Sequence, residues 1–134
     1  MIQGIGIDTV DINRFLHWPQ LHPDQLARIF SAHEITYCLA SPTQSAQRFA
    51  GRFAVKEAFF KAWNNAFPEY YFPFLTLCKA ISLERNDNQI PHLIIHQTLS
   101  SGINGTLIPL VSLTHTKTLA VASVFLQFIQ PENR

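Results

Sequence analysis

The hydrophobic and polar positions along the chain follow two repeats. Residues Ile2 to Ile12 alternate with the period of a β-strand. Gly4, Gly6, Asp8 and Val10 fall on one face, and Ile5 and Ile7 on the other. Asp8 therefore shares a face with two glycines, which leaves room for something bulky to approach. Asn13 to Trp18 reads as a short helix or turn with Arg14 exposed. His22-Pro23-Asp24 is a helix-start signal ahead of Gln25 to Phe30. Ser31 and Glu34 form a capping-box pair for a helix over His33 to Leu39, and Ser41-Pro42-Thr43 breaks the chain.

The helical repeat is longest from Ala46 to Trp63, AQRFAGRFAVKEAFFKAW, with an end expected near Asn64-Asn65. At about 100° per residue, Arg48, Arg52 and Lys56 make a basic stripe, with Phe49, Phe53 and Phe60 beside it. Glu57, the one acid in this run, sits with Lys61 at the edge of the apolar face. There it is either half of a surface i,i+4 pair or a carboxylate that needs a cation. Phe67 to Leu77 holds five aromatics and two prolines and reads as an irregular loop. It is expected to fill core or a subunit interface, or to cover a ligand. Strands are expected over Ala80 to Glu84, His92 to His96 and Leu107 to Thr114, with a turn at 85–89 and a short helical turn within Leu99 to Asn104. Residues 119–129, LAVASVFLQFI, are apolar almost throughout and read as a last strand, buried on both sides or at an interface.

Length and composition narrow the class. The 134 residues make one domain, 1–134, large enough for a proper core. Only 14% of residues are charged while 47% are hydrophobic, so more surface should be hidden than a monomer can hide, and an oligomer is expected. A net charge of +1 gives no footprint for nucleic acid or an anionic membrane. Four of the ten Lys and Arg residues lie in the long helix, which points to a local anion site instead. Cys38 and Cys78 lack metal-type spacing and are expected to be reduced and structural, a disulfide being the alternative. The opening MIQGIGID lacks the features of a secretion signal, and no segment has the length of a membrane span; the expectation is a cytoplasmic protein.

Two carboxylates stand out by context, Asp8 and Glu57. Hard oxygen donors beside Arg52, Lys56 and Lys61 describe a Mg²⁺ site of the kind that handles phosphate. Taken alone, Asp8 reads slightly better as a strand-end residue that caps a turn. Ser112-Leu113-Thr114-His115-Thr116-Lys117 ends a strand in groups that bind phosphate, although His115 by itself reads as a surface turn residue. Gly4-Ile5-Gly6 is not a dinucleotide fingerprint, because Thr9 stands where the third glycine belongs. The remaining histidines, His17, His22, His33, His92 and His96, offer no zinc spacing.

Three blocks, GIGID, RFAGRFAVKEAFFKAW and VSLTHTKTLAVASV, together resemble the holo-acyl-carrier-protein synthases, the small phosphopantetheinyl transferases of fatty acid synthesis. The family patterns are close to GIGxDIVEIxRI, FLAGRFAAKEAxxKA and VSIxHxxxYAxAxV, in the same order and at similar spacing across nearly the whole chain. Residues 28–34, RIFSAHE, also resemble the family segment before the long helix. The resemblance implies an α+β fold of the 4′-phosphopantetheinyl transferase type, with a small antiparallel sheet packed on a long central helix. It implies trimers with sites between subunits. The implied reaction moves 4′-phosphopantetheine from coenzyme A to a serine of apo acyl carrier protein, releasing adenosine 3′,5′-bisphosphate.

By motif match, Asp8 and Glu57 would hold Mg²⁺. Glu57 or a water would take the serine proton. Lys61 would contact the phosphate and leaving group. Arg52 and His115, with Arg48 assisting, would bind the nucleotide phosphates, and Arg14 would meet the acidic helix of the carrier protein. The chain departs from the family at the glycine turn after the long helix, here Asn64-Asn65-Ala66-Phe67. It departs again at the Gly-Lys-Pro turn, here Asn88-Gln89-Ile90-Pro91, and at the tyrosine before the last strand, here Leu119. These changes bear on substrate choice, and they leave a non-catalytic or specialised binder of carrier protein or coenzyme A as the alternative.

Overall fold

The computed structural model describes residues 1–132. Strand β1 (Ile2–Asp11) is followed by two 3₁₀ turns, Ile12–Phe15 and Trp18–Gln20. Then come α1 (Pro23–Leu26), α2 (Ala32–Leu39), α3 (Ser45–Ala66) and α4 (Phe74–Lys79). The hairpin β2 (Ile81–Arg85) and β3 (Pro91–Ile95), the short α5 (Gln97–Ser100), and strands β4 (Thr106–His115) and β5 (Leu119–Ile129) complete the order. The architecture is α+β. One antiparallel sheet runs β1-β5-β4, and β2 and β3 pair separately.

The alternation read in β1 sets the packing. Gly4 and Gly6 turn inward, and what approaches them is the backbone of α3. A Cβ on Gly4 would meet the carbonyl of Ala62, and one on Gly6 the carbonyl of Ala58. Bare glycine therefore lets strand and helix lie closer than any side chain permits. Along α3, Phe49, Ala50, Ala54, Val55, Ala58, Phe59, Ala62 and Trp63 are fully buried. The small residues among them face the strand side, and Ala120, Ala122, Val124 and Leu126 of β5 close the same core. The opposite sheet face is left uncovered. Ile5 of β1 stands opposite Phe125 of β5, which stands opposite Leu110 of β4. Ile5, Ile7 and Leu110 are about half exposed.

Several expectations are corrected. Of the two alternatives for the last strand, burial on both sides does not hold within the chain: Ala120, Ala122, Val124 and Leu126 are buried, while the other face is only partly covered. The stretch from Phe67 to Leu77 is not a loop throughout, because α4 begins at Phe74 behind Pro73, whose fixed φ suits a helix start. Phe67, Phe72 and Trp63 pack on one another, and Tyr70 and Tyr71 point outward. The long helix ends close to Asn64-Asn65, as expected. It runs on to Ala66, and Asn65 Oδ1 accepts from the Ile5 amide at 3.1 Å, pinning the end of α3 to β1. The Ser31 capping box is present, with reciprocal bonds between Ser31 and Glu34. Among the described residues, no helix is long and apolar enough to cross a membrane.

Candidate active site

The close seating of β1 on α3 brings Asp8 to Lys61. Lys61 Nζ donates to Asp8 Oδ1 at 3.2 Å and to the Ile7 carbonyl at 3.0 Å. The i,i+4 pairing with Glu57 drawn from helix spacing is not the contact formed; the strand supplies the partner. Glu57 is left one turn away, half-buried between Phe53 and Phe60. Phe74 packs edge-on against both rings, at 5.9 and 5.6 Å. Burial pushes the Glu57 carboxyl above its ordinary value, and the charge of Asp8 pushes it further, while Lys61 and Arg14 pull it back. Two carboxylates thus face one another in a partly dry setting, with an ammonium bridging to one of them. Arg14, exposed on the first 3₁₀ turn, lies over Phe53 with its guanidinium 5.9 Å from the ring.

A second cluster lies toward the start of α3. Arg48 and Arg52 place their guanidiniums 4.1 and 4.0 Å from the ring centre of Tyr37 on α2. Arg48 also donates to the Tyr37 carbonyl and to Gln44 Oε1, each at 2.8 Å. Arg52 is buried, and burial lowers its affinity for the proton; Cys38, Tyr37 and Glu34 oppose that shift and Arg85 adds to it. At the end of β4, His115 Nε2 meets Gln47 Nε2 at 2.8 Å. Its Nδ1 lies 3.3 Å from the Thr116 carbonyl oxygen. These residues, with Arg85 and Thr114, surround a cavity of about 90 Å³.

Lys56 belongs to neither cluster. The basic stripe places it beside Arg52, but the fold turns it inward to a fully buried ion pair with Glu34, N to O 2.8 Å. Its other two protons go to the carbonyls of Cys78 and Ile81. Of the predicted site residues, Asp8, Glu57 and Lys61 come together with Arg14 nearby, and Arg48, Arg52 and His115 come together separately. The sequence reading missed Tyr37, Gln47 and Arg85, which carry no local pattern. Their only signal is that each lies next to, or within, a segment already singled out.

The sequence profile of the 4′-phosphopantetheinyl transferase superfamily matches residues 4–106. A curated relative, the holo-[acyl-carrier-protein] synthase of Bacillus pumilus, is 32% identical over 129 residues, covering 95% of this chain and 97% of the relative. The chain belongs to this family, the holo-acyl-carrier-protein synthases of the 4′-phosphopantetheinyl transferase superfamily. Among solved structures, the holo-(acyl-carrier-protein) synthase of Bacillus anthracis in complex with CoA (3′,5′-ADP) is 29% identical with a TM-score of 0.67, over 94% of this chain and 96% of that one. The Helicobacter pylori synthase in complex with coenzyme A is 26% identical with a TM-score of 0.71, over 92% and 99%.

Proposed function

We propose that this protein transfers the 4′-phosphopantetheine group of coenzyme A to a serine of an apo acyl carrier protein. The products are the holo carrier and adenosine 3′,5′-bisphosphate, and the reaction serves fatty acid biosynthesis in the cytoplasm. The observation that carries this reading is the division of α3 into two charged sites. A carboxylate pair with a lysine lies at Asp8, Glu57 and Lys61. An arginine pocket at Arg48 and Arg52 lies about 7.5 Å up the helix axis, since Arg52 stands five positions before Glu57. Coenzyme A carries a pyrophosphate and a separate nucleotide phosphate, and one helix offers a station for each.

The donor set fits Mg²⁺. Among the described residues no group of three or more His, Cys, Asp or Glu gathers. Mg²⁺ in phosphate-handling sites commonly takes only one or two carboxylates and completes its shell with substrate oxygens and water. Asp8 and Glu57 would hold it, and it would supply neutralisation of the charge that builds on the pyrophosphate oxygens. The chain's own residues then act on the reaction. Glu57, made more basic by burial and by Asp8, accepts the proton of the carrier serine. The serine oxygen forms a bond to the β-phosphorus, the bond from that phosphorus to the bridging oxygen breaks, and the nucleotide bisphosphate leaves. Lys61 stabilises the negative charge on the leaving oxygen. Arg48, Arg52 and His115 hold the nucleotide end, and Arg14, exposed beside the site, faces an acidic segment of the carrier.

The uncovered row Ile5–Phe125–Leu110 supports self-association, because an apolar sheet face of this kind is normally closed by another surface, and the assembly we propose is the homotrimer that the family resemblance implies. Incubation with coenzyme A, Mg²⁺ and apo acyl carrier protein, followed by intact mass, tests the activity. A phosphopantetheine adduct on the carrier is expected. Mg²⁺-independent binding of coenzyme A without turnover would instead establish a non-catalytic binder. Sedimentation equilibrium is expected to give three chains, and a charged residue at Ile7 is expected to give one.

A further inference from the structure

Strand β1 is an edge of its sheet, so every second residue turns its amide and carbonyl away from β5. Ile5 and Ile7 are two such residues, and side chains of α3 meet both. Asn65 Oδ1 accepts from the Ile5 amide at 3.1 Å, and Lys61 Nζ donates to the Ile7 carbonyl at 3.0 Å. Helix and strand run in opposite directions with matching steps. The turn from Lys61 to Asn65 rises about 6 Å, and the two residues from Ile7 back to Ile5 span about 6.8 Å. One more step along this ladder sets Glu57 level with Thr9. On the helix-facing side of the strand, Asp8 therefore falls between the levels of Glu57 and Lys61. The register of β1 on α3 decides that placement.

The two rungs differ in what transfer asks of them. In the resting protein Lys61 is occupied by the Ile7 carbonyl and by Asp8 Oδ1. When its ammonium turns to the leaving oxygen and Asp8 turns to the metal, that rung loosens. Asn65 is neutral and takes no part in the chemistry, so its bond to Ile5 persists. It lies in the stretch that replaces the family's glycine turn. With no glycine there, α3 runs on to Ala66, and this last turn is what carries Asn65 to β1. The turn is firmly seated. Trp63 Nε1 donates to the Tyr70 carbonyl at 2.8 Å, and Phe67 packs on Trp63 and on Phe128 of β5.

We propose that Asn65 is a positioning residue for transfer: it holds β1 in register on α3, so that Asp8 stays between Glu57 and Lys61 when the Lys61 ammonium leaves the strand for phosphate. The inference rests on the transferase reading for what Asp8 and Lys61 do. A group carried on an edge strand moves with that strand, and a slip of about 1 Å between reacting groups costs a large part of a rate. The slip acts on the chemical step. It leaves the arginine pocket, which lies on the other half of α3, where it is.

Asn65→Ala removes the acceptor, and Asn65→Asp keeps an oxygen at the same reach. Alanine is also the better helix former, which offsets the lost hydrogen bond, so the Tm of Asn65→Ala is expected to stay within about 3 °C of wild type. In the metal-free protein, hydrogen exchange at the Ile5 amide is expected to quicken at least about tenfold in Asn65→Ala and to stay near wild type in Asn65→Asp. With coenzyme A, Mg²⁺ and apo acyl carrier protein, Asn65→Ala is expected to lower kcat at least about fivefold while KM for coenzyme A changes less than about twofold. Asn65→Asp is expected to restore kcat to within about twofold of wild type. If Asn65→Ala keeps the wild-type kcat, loses activity only through KM or through its folded fraction, or is matched in its loss by Asn65→Asp, Asn65 has no such role and the transferase reading stands. If wild type forms no adduct on the carrier, the transferase reading itself fails and takes this inference with it.

Discussion

Lys56 Nζ lies 2.8 Å from Glu34 Oε1, and both side chains are completely buried. Each proton of the ammonium has an acceptor, and Glu34 also accepts from the amides of Ser31 and Leu83. The pair ties α2, α3 and β2 together. Tyr37 lies one turn past Glu34 on α2, Arg52 one turn before Lys56 on α3, and Arg85 two residues past Leu83 on β2. The arginine pocket is therefore stacked one structural repeat above the ion pair, and the pair sets how its three walls meet. Removing one partner strands a buried charge, so Lys56→Met is expected to cost about 3–5 kcal/mol in urea unfolding. Adding Glu34→Gln to Lys56→Met removes that stranded charge and should recover about 1–2 kcal/mol, read as coupling in a double-mutant cycle. Additive losses would show that the two side chains contribute independently.

Gly6 carries the strand–helix approach that delivers Asp8 to Lys61. A methyl there would drive into the Ala58 carbonyl and stand 2.8 Å from the Ala62 amide nitrogen, both backbone atoms that cannot swing aside. Gly6→Ala is expected to destabilise by about 3 kcal/mol and to cost more transfer activity than the remaining folded fraction explains. Gly102→Ala, where nothing lies within 4 Å of the added carbon, is the matched control and should leave both unchanged.

What could be read from the sequence follows the range of each interaction. Asp8 on a glycine face and Glu57 at the edge of an apolar face come from strand and helix periods, which are local, and the fold keeps both. Lys56 obeys the same helical period, which sets it beside Arg52. What turns it inward is Glu34 on another helix, whose capping bond to Ser31 is local but whose bond to Leu83 is not. Lys61 likewise meets Asp8 rather than its neighbour in the helix, because β1 lies closer than the helix surface suggests. Helix α4 was hidden by the prolines and aromatics before it, and Pro73 proved to be its start. Tyr37 and Arg85 converge only through tertiary packing, so no periodicity marks them.

Cys38 and Cys78 are free and buried, and burial pushes both thiols up to about 12. At pH 8 the thiolate population is then on the order of one in ten thousand, and access is closed as well. Ellman's reagent is expected to find no reactive thiol in the native protein at pH 8 and two per chain in denaturant. Rapid reaction of either cysteine under native conditions would contradict the burial of α2 and α4 against α3.

Glu57 links catalysis and stability with opposite signs. Its pKa is raised in the fold by burial and by Asp8, above an ordinary value near 4.5. A raised carboxyl pKa favours the folded state while the group is protonated, below about pH 4.5, and that contribution is lost as the pH rises through the folded-state value. At neutral pH the ionised Glu57 therefore weakens the metal-free protein. Glu57→Gln removes that cost, and in EDTA its Tm should exceed that of wild type at pH 7, with the difference shrinking toward pH 4. If Glu57 is the base we propose for the serine proton, transfer by the same variant should fall by at least about a hundredfold. Mg²⁺ should raise the Tm of wild type and leave that of Glu57→Gln nearly unmoved, because only the paired carboxylates hold the ion. A variant that is no more stable than wild type at pH 7, or that still transfers at a near-normal rate, would remove Glu57 from this role.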